Sequence, residues 1–389
     1  MIDHHLLSIH HGRSKIPPLK FELPSGWTPH TLATLHASLL DWFDREQREL
    51  PWRATRDPYR IWISEVMLQQ TTVTAVVPYF HRFLAAFPDV HALASADEQE
   101  VLKLWEGLGY YRRARHLHAA AKILVSDHAG NLPDDVGVWE ALPGVGPYIL
   151  GAVLSQAFDR PLPIVEANSL RVLTRLLGYR GDPREGEGKN WVWAAARQFV
   201  PNKRAGDYNQ GLMELGAVVC GVTEPTCPAC PLSAMCVANR EQLQDAIPPK
   251  KATKVMTEVA EIGVVIRQGS RVLLCRRPAN AGRWQNLWEI PHAERQPGES
   301  IETAAIRIAR ELTGMEIMVG SELTTIKHTV TRYSITLVCV EASYRSGELG
   351  PGFYTEARWV EPSELGGFPV SSPQRKLMTR IASSQRQLF

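Results

Sequence analysis

The chain has 389 residues, and 43 Lys and Arg against 41 Asp and Glu give it a formal net charge of +2. At roughly 100–200 residues per domain, this length predicts two or three domains. A hydrophobic share of 44% with 22% charged residues excludes a disordered or fibrous chain. No apolar run approaches the roughly 18 residues of a membrane span. Residues 1–28 lack the apolar core and cleavage site of a signal peptide, so we expect an N-terminal extension.

Residues 29–245 predict a helical domain. Apolar residues recur at helical spacing in 34–50, and a second, longer helical pattern covers 61–87. Short breaks containing glycine and proline separate further predicted helices, which lie at 98–106, 112–128, 138–142, 147–158 and 189–200.

The character of the chain changes after residue 245. Residues 246–257 are polar and contain two consecutive prolines, as a linker does. Beyond them, 259–277 predicts two strands joined at Gln268-Gly269-Ser270. A helix at 301–314 and strands at 334–342 and 357–360 follow, so we predict an α+β domain over 258–389.

Four of the six cysteines lie in one short segment, at Cys220, Cys227, Cys230 and Cys236. Disulfide frameworks are spread along short secreted chains, so this cluster in a long chain indicates a metal centre in a reducing compartment. Four thiolates suit a tetrahedral zinc ion or a [4Fe-4S] cluster. Zinc sites are more often built from two C-x-x-C pairs, and this segment has a single one.

A glycine-containing turn lies between two predicted helices at 142–148. Gly144 and Gly146 allow the backbone to approach a phosphate closely, and the amide groups that begin the next helix point at the anion. Contacts of this kind position a DNA duplex without reading its sequence. By itself, the turn is equally compatible with an ordinary helix–helix connection.

The cysteine spacing resembles that of the endonuclease III-like helix-hairpin-helix DNA glycosylases, which hold one [4Fe-4S] cluster per chain in this segment. Further stretches resemble one branch of that superfamily, the MutY-type adenine DNA glycosylases, which remove adenine misincorporated opposite 8-oxoguanine. These stretches are 50–73, 107–121, 142–155, 168–176 and 209–220. Residues 282–291 resemble the MutT/Nudix-like module that follows the glycosylase domain in this branch.

The resemblance implies a multidomain fold, in which an all-α helix-hairpin-helix glycosylase domain precedes an α+β MutT/Nudix-like domain. It implies an enzyme of base excision repair that acts on double-stranded DNA with an adenine:8-oxoguanine or adenine:guanine mispair. We further expect a monomer in the cytoplasm, associated with a bacterial-type nucleoid and not with a membrane.

Cleavage of an N-glycosidic bond needs a proton for the departing base and negative charge beside an oxocarbenium-like sugar, so two carboxylates can divide the work. Glu65 lies in an apolar helical pattern, where burial should raise its pKa and allow it to donate a proton. The resemblance implies that Glu65 protonates N7 of adenine. Gln69 should share the helix face of Glu65, and Gln70 should point elsewhere.

Glu166 is the second candidate, and here the chain departs from the family. The usual Asp-Gly-Asn-Val motif reads Glu166-Ala167-Asn168-Ser169, which places the carboxylate on one extra methylene. Retaining-type chemistry needs the two carboxyl groups about 5 Å apart. We therefore expect the local backbone to compensate. The resemblance implies that Asn168 orients Glu166 and the attacking water.

Tyr148 stands where lyase-active relatives carry the lysine that forms a Schiff base with the sugar. A tyrosine cannot form this bond, although its hydroxyl can bind both carboxylates. We therefore predict a monofunctional glycosylase that leaves an abasic site.

Base flipping requires residues that fill the gap in the duplex and a pocket that receives the base. The resemblance implies that Gln70 and Tyr110 enter the base stack near 8-oxoguanine. It also implies an adenine pocket made by Arg48, Trp52, Arg53 and Gln210.

The MutT-like module departs from its family at two places. Aligned on Gly314, the Mg²⁺-binding motif Arg-Glu-x-x-Glu-Glu-x-Gly keeps only Glu311 of its three acids, so we expect binding rather than hydrolysis. The lesion-recognition loop, commonly His-Thr-Phe-Ser-His, reads His-Thr-Val-Thr-Arg at 328–332. The binding candidates there are His328, Thr331 and Arg332, and we expect Thr331 and Arg332 to preserve lesion discrimination.

Three other functions stay open at this stage. An endonuclease III-like glycosylase/lyase is disfavoured by Tyr148 and by the second domain. A nucleotide pyrophosphatase is disfavoured by the missing acids. A catalytically weakened protein that only binds mismatches is compatible with Glu166 and the altered loop. Release of free base would separate an enzyme from a binding protein.

Overall fold

The computed structural model describes residues 26–251, 255–350 and 352–385. The predicted extension at 1–28 therefore lies almost wholly outside the described residues, and so does part of the predicted linker, at 252–254. Packing divides the described chain into two compact units. The first comprises the residues up to Phe80, Asp89–His91 and Ala119–Lys251. The second comprises His81–Pro88, Ala92–His118 and the residues after Lys251.

The region before the linker is helical, as predicted. Its helices are α1 (Pro29–Glu46), α2 (Pro58–Leu68), α3 (Val73–Ala86), α4 (Val90–Ser95), α5 (Glu98–Leu104), α6 (Arg112–His128), α7 (Val136–Ala141), α8 (Pro147–Phe158), α9 (Ala167–Leu177), α10 (Gly186–Phe199), α11 (Ala205–Val218) and α12 (Val237–Arg240). The helices predicted at 112–128 and 147–158 have the predicted bounds.

The single long helix predicted over 61–87 is wrong, because α2 ends at Leu68 and α3 begins at Val73. Gln70 has a φ of 58°, a left-handed conformation that an α-helix cannot continue. The prediction that Gln69 and Gln70 follow the helical phase of Glu65 is wrong for the same reason, since both residues lie beyond the helix end.

The helices of the first unit that carry the candidate catalytic residues pack closely together. Helix α2 packs against α8, and α11 packs against α1, α8 and α9. A Cβ atom on Gly216 of α11 would lie 2.5 Å from Cβ of Asn168, so only glycine permits this approach to the start of α9. The approach fixes the beginning of α9, which Glu166 precedes.

The second unit is built on one mixed sheet. Its strands are β1 (Thr257–Gln268), β2 (Arg271–Arg276), β3 (Trp288–Glu289), β4 (His292–Glu294), β5 (Glu316–Val330), β6 (Tyr333–Ser346) and β7 (Glu356–Val360). The strand order is β3-β2-β1-β6-β5, with β4 also paired to β1 and β7 to β2. Strands β1 and β6 are parallel, with Val264 opposite Val340, and the other pairs are antiparallel.

A helix covers each face of this sheet. Helix α13 (Ile301–Thr313) contributes Ile308 to the core on one face, and α14 (Ser372–Gln385) contributes Leu377 to the core on the other. The predicted hairpin at Gln268-Gly269-Ser270, the helix at 301–314 and the strands at 334–342 and 357–360 are confirmed. The sequence analysis did not predict β5 or α14.

Among the helices of the described residues, none is long and apolar enough to cross a membrane.

Candidate active site

The buried carboxyl group of Glu65 lies at the contact between α2 and α8. Its side chain is almost fully enclosed, with 2% of the residue exposed. The hydroxyl of Tyr148, in the first turn of α8, donates a hydrogen bond to Oε2 of Glu65. Nε2 of Gln156, near the end of α8, donates to Oε1 of Glu65 at 2.8 Å. Both carboxyl oxygens of Glu65 are therefore held by one helix.

Burial raises the pKa of Glu65, and the hydrogen bonds from Tyr148 and Gln156 lower it only in part. The nearby charge of Glu166 raises the pKa of Glu65 further. Burial and the charge of Glu65 raise the pKa of Tyr148 well above its usual value, so the phenol keeps its proton. This environment suits a carboxyl group that holds a proton and delivers it to a leaving group.

Glu166 is the N-cap of α9 and has an extended backbone, with φ −134° and ψ −175°. Its Oε1 accepts hydrogen bonds from the backbone N–H groups of Asn168, at 2.9 Å, and Ser169, at 2.7 Å. Burial raises the pKa of Glu166, and these N–H groups oppose that shift because they favour the ionised form. The longer side chain is thus folded back onto the helix start.

Two expectations for this pair need correction. The hydroxyl of Tyr148 binds Glu65, whereas Glu166 is bound by α9 and acts on Tyr148 through its charge. Asn168 holds Glu166 through its backbone N–H; its side-chain Oδ1 accepts instead from Nη2 of Arg171 at 2.9 Å. The side chain of Asn168 is therefore oriented by Arg171 rather than by Glu166.

The residues assigned to the adenine pocket converge on Glu214, which the sequence analysis missed. Arg48 donates to Oε1 of Glu214 at 2.6 Å and to Oε2 at 2.8 Å, and Arg53 donates to Oε2 at 2.8 Å. Nε of Arg53 also donates to Oε1 of Gln210 at 3.1 Å. Burial alone would raise the pKa of Glu214, but the hydrogen bonds from both arginines lower it to about 2.

A sequence signal for Glu214 existed, because Gln210 and Glu214 stand four residues apart on α11 and so share a helix face. Trp52, the remaining pocket candidate, is buried and packs edge-to-face on Phe80, with ring centroids 5.5 Å apart. Trp52 is therefore part of the aromatic core of the first unit.

The two residues predicted to enter the base stack are both exposed and both have left-handed backbones. Tyr110, in the second unit, has a φ of 48° and is 55% exposed. Gln70, in the first unit, has a φ of 58° and is exposed. Strained, exposed positions of this kind often mark contacts with a ligand.

The glycine turn opens α8. Gly144 has a φ of 77°, and Gly146 is the N-cap of α8. A Cβ atom on Gly146 would meet no atom within 4 Å, so the space in front of the helix start is open. The start of α8 can therefore receive a phosphate.

Cys220, Cys227, Cys230 and Cys236 line one cavity, together with Arg175 and Gln244. Nη1 of Arg175 donates to Sγ of Cys220 at 3.3 Å, and Nε2 of Gln244 donates to Sγ of Cys227 at 3.6 Å. Burial raises the pKa of Cys230 to about 12. Among the described residues, no group of three or more His, Cys, Asp or Glu side chains is arranged to hold a metal ion.

The predicted recognition loop at 328–332 is a strand end followed by a two-residue turn, which corrects the sequence interpretation. His328 lies in β5 opposite Ile335, and Thr331 and Arg332 form the turn into β6. Thr331 has a φ of 55° and donates to the carbonyl of Val330 at 2.7 Å. Burial lowers the pKa of His328, which favours the neutral imidazole.

Helix α13 holds the remains of the Mg²⁺-binding motif. Nε of Arg307 donates to Glu299 at 2.8 Å, and Nη1 donates to Glu311 at 3.1 Å. The one acid that survives from the motif is therefore paired with an arginine of the same helix.

Comparisons with known proteins match both parts of the chain. Residues 63–196 match the model of the HhH-GPD superfamily of base excision DNA repair proteins, and residues 262–380 match the NUDIX domain. The human adenine DNA glycosylase is 31% identical to this chain in an alignment 415 residues long. The alignment covers 91% of this chain and 75% of the human protein. The adenine DNA glycosylase of Buchnera aphidicola subsp. Schizaphis graminum is 34% identical over 67% of this chain and 76% of that protein.

Solved structures resemble each part separately. A thermostable thymine-DNA glycosylase covers 55% of this chain and 98% of its own, with 29% identity and a TM-score of 0.49. A MutT protein from Methanosarcina mazei Go1 covers 35% of this chain and 99% of its own, with 19% identity and a TM-score of 0.32. The two domain matches confirm the predicted fold class: a helix-hairpin-helix domain is followed by a Nudix-like domain.

Proposed function

Because this chain belongs to the adenine DNA glycosylase family, we propose that it hydrolyses the N-glycosidic bond of adenine paired with 8-oxoguanine or guanine and leaves an abasic site. The observation that carries the proposal is the buried carboxyl of Glu65, held by Tyr148 and Gln156 beside the differently bound carboxylate of Glu166. Glycoside hydrolysis needs this combination of a proton donor and a negative charge.

Glu65 supplies the proton. Burial raises its pKa and so favours the protonated form, and the proton passes to the ring of the departing adenine as the bond to the sugar breaks. Glu166 supplies the charge, since the N–H groups of α9 favour its ionised form beside the positive sugar. Tyr148 carries no amine that could form a Schiff base with the sugar. Water therefore bonds to C1′ and loses a proton, and the product is an abasic site.

Glu214 organises the residues that would receive the flipped adenine. Its two oxygens bind Arg48 and Arg53, and Arg53 in turn binds the side-chain oxygen of Gln210. The amide nitrogen of Gln210 then stays available to an acceptor on the base. A polar group placed in this way rejects bases that lack the matching atom.

The second unit would read the base opposite adenine. Thr331 and Arg332 form the tip of the β5–β6 hairpin, where both side chains are exposed. Arg332 lies over the ring of Tyr333, 5.2 Å from its centroid, and so presents its charge at the same surface. This tip supports a contact between the hairpin and the lesion or its phosphate.

The cysteine-lined cavity fits a [4Fe-4S] cluster, and a spacing with a single C-x-x-C pair is unusual for a zinc site. Four thiols line one cavity, and N–H donors from Arg175 and Gln244 already face two of the sulfurs. Cys220, Cys227, Cys230 and Cys236 would hold the cluster. Because protein ligands would fill all four positions, the cluster would organise the fold and leave the chemistry to the carboxylates.

Single-turnover excision tests this function directly. The substrate is a duplex with adenine opposite 8-oxoguanine; duplexes with guanine or thymine opposite adenine serve as controls. We expect fast release of adenine opposite 8-oxoguanine, slower release opposite guanine, and no release by Glu65→Gln. Glu187→Gln, the same change at an exposed position of α10, should excise like the unaltered protein.

Two outcomes would contradict the proposal. Tight binding without release of adenine would indicate a mismatch-binding protein. A covalent DNA adduct trapped by borohydride at the level of a lyase would exclude the monofunctional assignment.

A further inference from the structure

Helix α5 and the turn that follows it pack against the C-terminal sheet within the second unit. Glu106, in this turn, accepts two hydrogen bonds from Arg375 of α14: Nε to Oε1 at 2.5 Å and Nη2 to Oε2 at 2.9 Å. A parallel pair of this kind fixes orientation as well as distance. Arg375 is itself fixed by the carbonyl groups of Leu365, at 2.9 Å, and Phe368, at 2.6 Å.

Two further contacts hold the same segment. Nε1 of Trp288 donates to Oε1 of Gln99 at 2.9 Å, and Nε2 of Gln99 donates to the carbonyl of Asn286 at 3.0 Å. The hydroxyl of Tyr111 donates to the carbonyl of Val370 at 2.7 Å. The segment from Gln99 to Tyr111 is thus bound at three separate points.

The segment carries Tyr110, one of the residues expected to enter the duplex. Nε1 of Trp105 donates to the carbonyl of Gly109 at 3.1 Å, and the guanidinium of Arg113 donates to the same carbonyl at 3.2 Å. The Arg113 guanidinium also lies 5.6 Å from the ring centroid of Tyr110. The turn is braced from both sides, and Tyr110 projects from it into solvent.

Tyr110 and the hairpin tip at Thr331 therefore belong to one compact unit, whereas Glu65 and Glu166 belong to the other. We propose that Glu106 and Arg375 are positioning residues, which fix Tyr110 relative to the hairpin so that both read the base opposite adenine together. The proposal rests on the proposed function and adds to it a division of labour between recognition and chemistry. Loss of the Glu106–Arg375 pair then weakens recognition of the lesion and leaves the chemical step intact.

The test compares Arg375→Gln with Arg380→Gln, the same change at an exposed position of the same helix. Equilibrium binding is measured in the inactive Glu65→Gln background, on duplexes with 8-oxoguanine or guanine opposite adenine. We expect Arg375→Gln to reduce the preference for 8-oxoguanine by about tenfold, within the range that coupling through packed contacts produces. Arg380→Gln should keep the preference. With Glu65 restored, the excision rate at saturating enzyme should change less than about twofold in either variant.

A double-mutant cycle separates positioning from general damage. In a Tyr110→Ala background, Arg375→Gln should have no further effect on the preference for 8-oxoguanine. Two results would overturn the inference. One is that Arg375→Gln lowers the preference for 8-oxoguanine as much in the Tyr110→Ala background as alone, and the other is that a folded Arg375→Gln protein keeps the preference unchanged. Gln99→Met, which removes a different contact of the same segment, provides a second variant if Arg375→Gln fails to fold. If the unaltered protein excises no adenine, the proposed function itself fails. That result differs from the two outcomes that would overturn the positioning role of Glu106 and Arg375.

Discussion

At the scale of single residues, two glutamates in different environments are suited to two roles, proton donor and negative charge beside the sugar. Glu65 is enclosed and accepts hydrogen bonds from two neutral side chains, Tyr148 and Gln156. Glu166 accepts hydrogen bonds from two backbone N–H groups at a helix N-terminus, where the helix dipole also favours negative charge. Burial favours the protonated form of both, but at Glu166 the N–H groups oppose that effect, and two carboxyl groups held in such different ways can divide the roles that acid-assisted hydrolysis needs.

This separation predicts a bell-shaped pH profile for excision. The rate should rise as pH passes the pKa of Glu166, which must ionise, and fall as pH passes the pKa of Glu65, which must stay protonated. Burial raises both pKa values, so both limbs should lie above the usual range of an exposed glutamate.

Tyr148→Phe tests which limb belongs to Glu65. The hydroxyl of Tyr148 favours the ionised form of Glu65, so its removal should move the falling limb to higher pH. The shift should be about one pH unit or more, because a hydrogen bond to a charged group is worth roughly 1.5–3 kcal/mol. Tyr179→Phe, a change at a tyrosine that stacks on Trp191, should leave the profile unchanged. A falling limb displaced to lower pH would rule out this role.

Glu214 should matter for stability as well as for excision. Replacing Glu214 by Gln leaves Arg53, which is largely buried with it, without its charged partner, and breaking a buried pair costs about 3–5 kcal/mol; the exposed Arg48 should add little. Since the pKa of Glu214 in the folded state is about 2, its contribution is present above the unfolded value of about 4.5 and is lost as pH falls through about 2. Thermal unfolding at neutral pH should show the loss, and Glu46→Gln, at an exposed position, should not. Equal stability of the two variants would contradict a structural role for this group.

At the scale of elements, the start of α9 explains how a longer carboxylate can replace a shorter one. Glu166 bends back to cap its own helix, and Ser169 Oγ accepts the backbone N–H of Glu166 at 2.9 Å, which closes a reciprocal cap. The extra methylene is used in this fold-back.

Glu166→Asp should therefore excise adenine no faster than the unaltered protein. Aspartate is a good N-cap residue, so the stability of α9 should change by less than about 1 kcal/mol, while the carboxylate withdraws from the sugar and the rate falls by up to about 10². Glu166→Gln, which keeps an oxygen for the cap without the charge, separates the two effects. Excision by Glu166→Asp well above that of the unaltered protein would show that the backbone has not compensated.

Local sequence patterns predicted most of these elements because helices and hairpins are signalled within short windows. The turn at Gln268-Gly269-Ser270 and the glycine that ends α13 are examples. The break at Gln70 was missed because the apolar residues before Gln69 and after Thr72 continue a helical pattern, while the backbone between them turns left-handed. Strand β5 was missed because its exposed and half-buried residues do not alternate cleanly and its pairing with β6 is interrupted by bulges. The site was predicted where a motif carried it, and Glu214 was missed because its role depends on arginines far away in the chain.

At the scale of the whole molecule, the two compact units do not follow the order of residues along the sequence. Residues 92–118 belong with the C-terminal sheet, although the family model that they match spans the helical part. No local window could reveal this, since Glu106 and Arg375 meet across most of the chain. Tyr110 and the hairpin tip thereby come to lie in one unit and Glu65 and Glu166 in the other, whereas Gln70 belongs to the unit of the two carboxylates.

The cysteine-lined cavity gives the last prediction at this scale. Arg175 reaches from α9 to Sγ of Cys220 and to the carbonyl groups of Gly221 and Gln244, so the occupant of the cavity should support the fold around it. We expect the purified protein to be brown and to contain about four iron atoms per chain. Cys230→Ser should lose the colour and lower the melting temperature, whereas Cys339→Ser, at a buried cysteine of the other unit, should keep both the colour and the iron. A colourless protein loaded with zinc would refute the cluster. If that protein excised adenine, the catalytic roles of the two carboxylates would still stand.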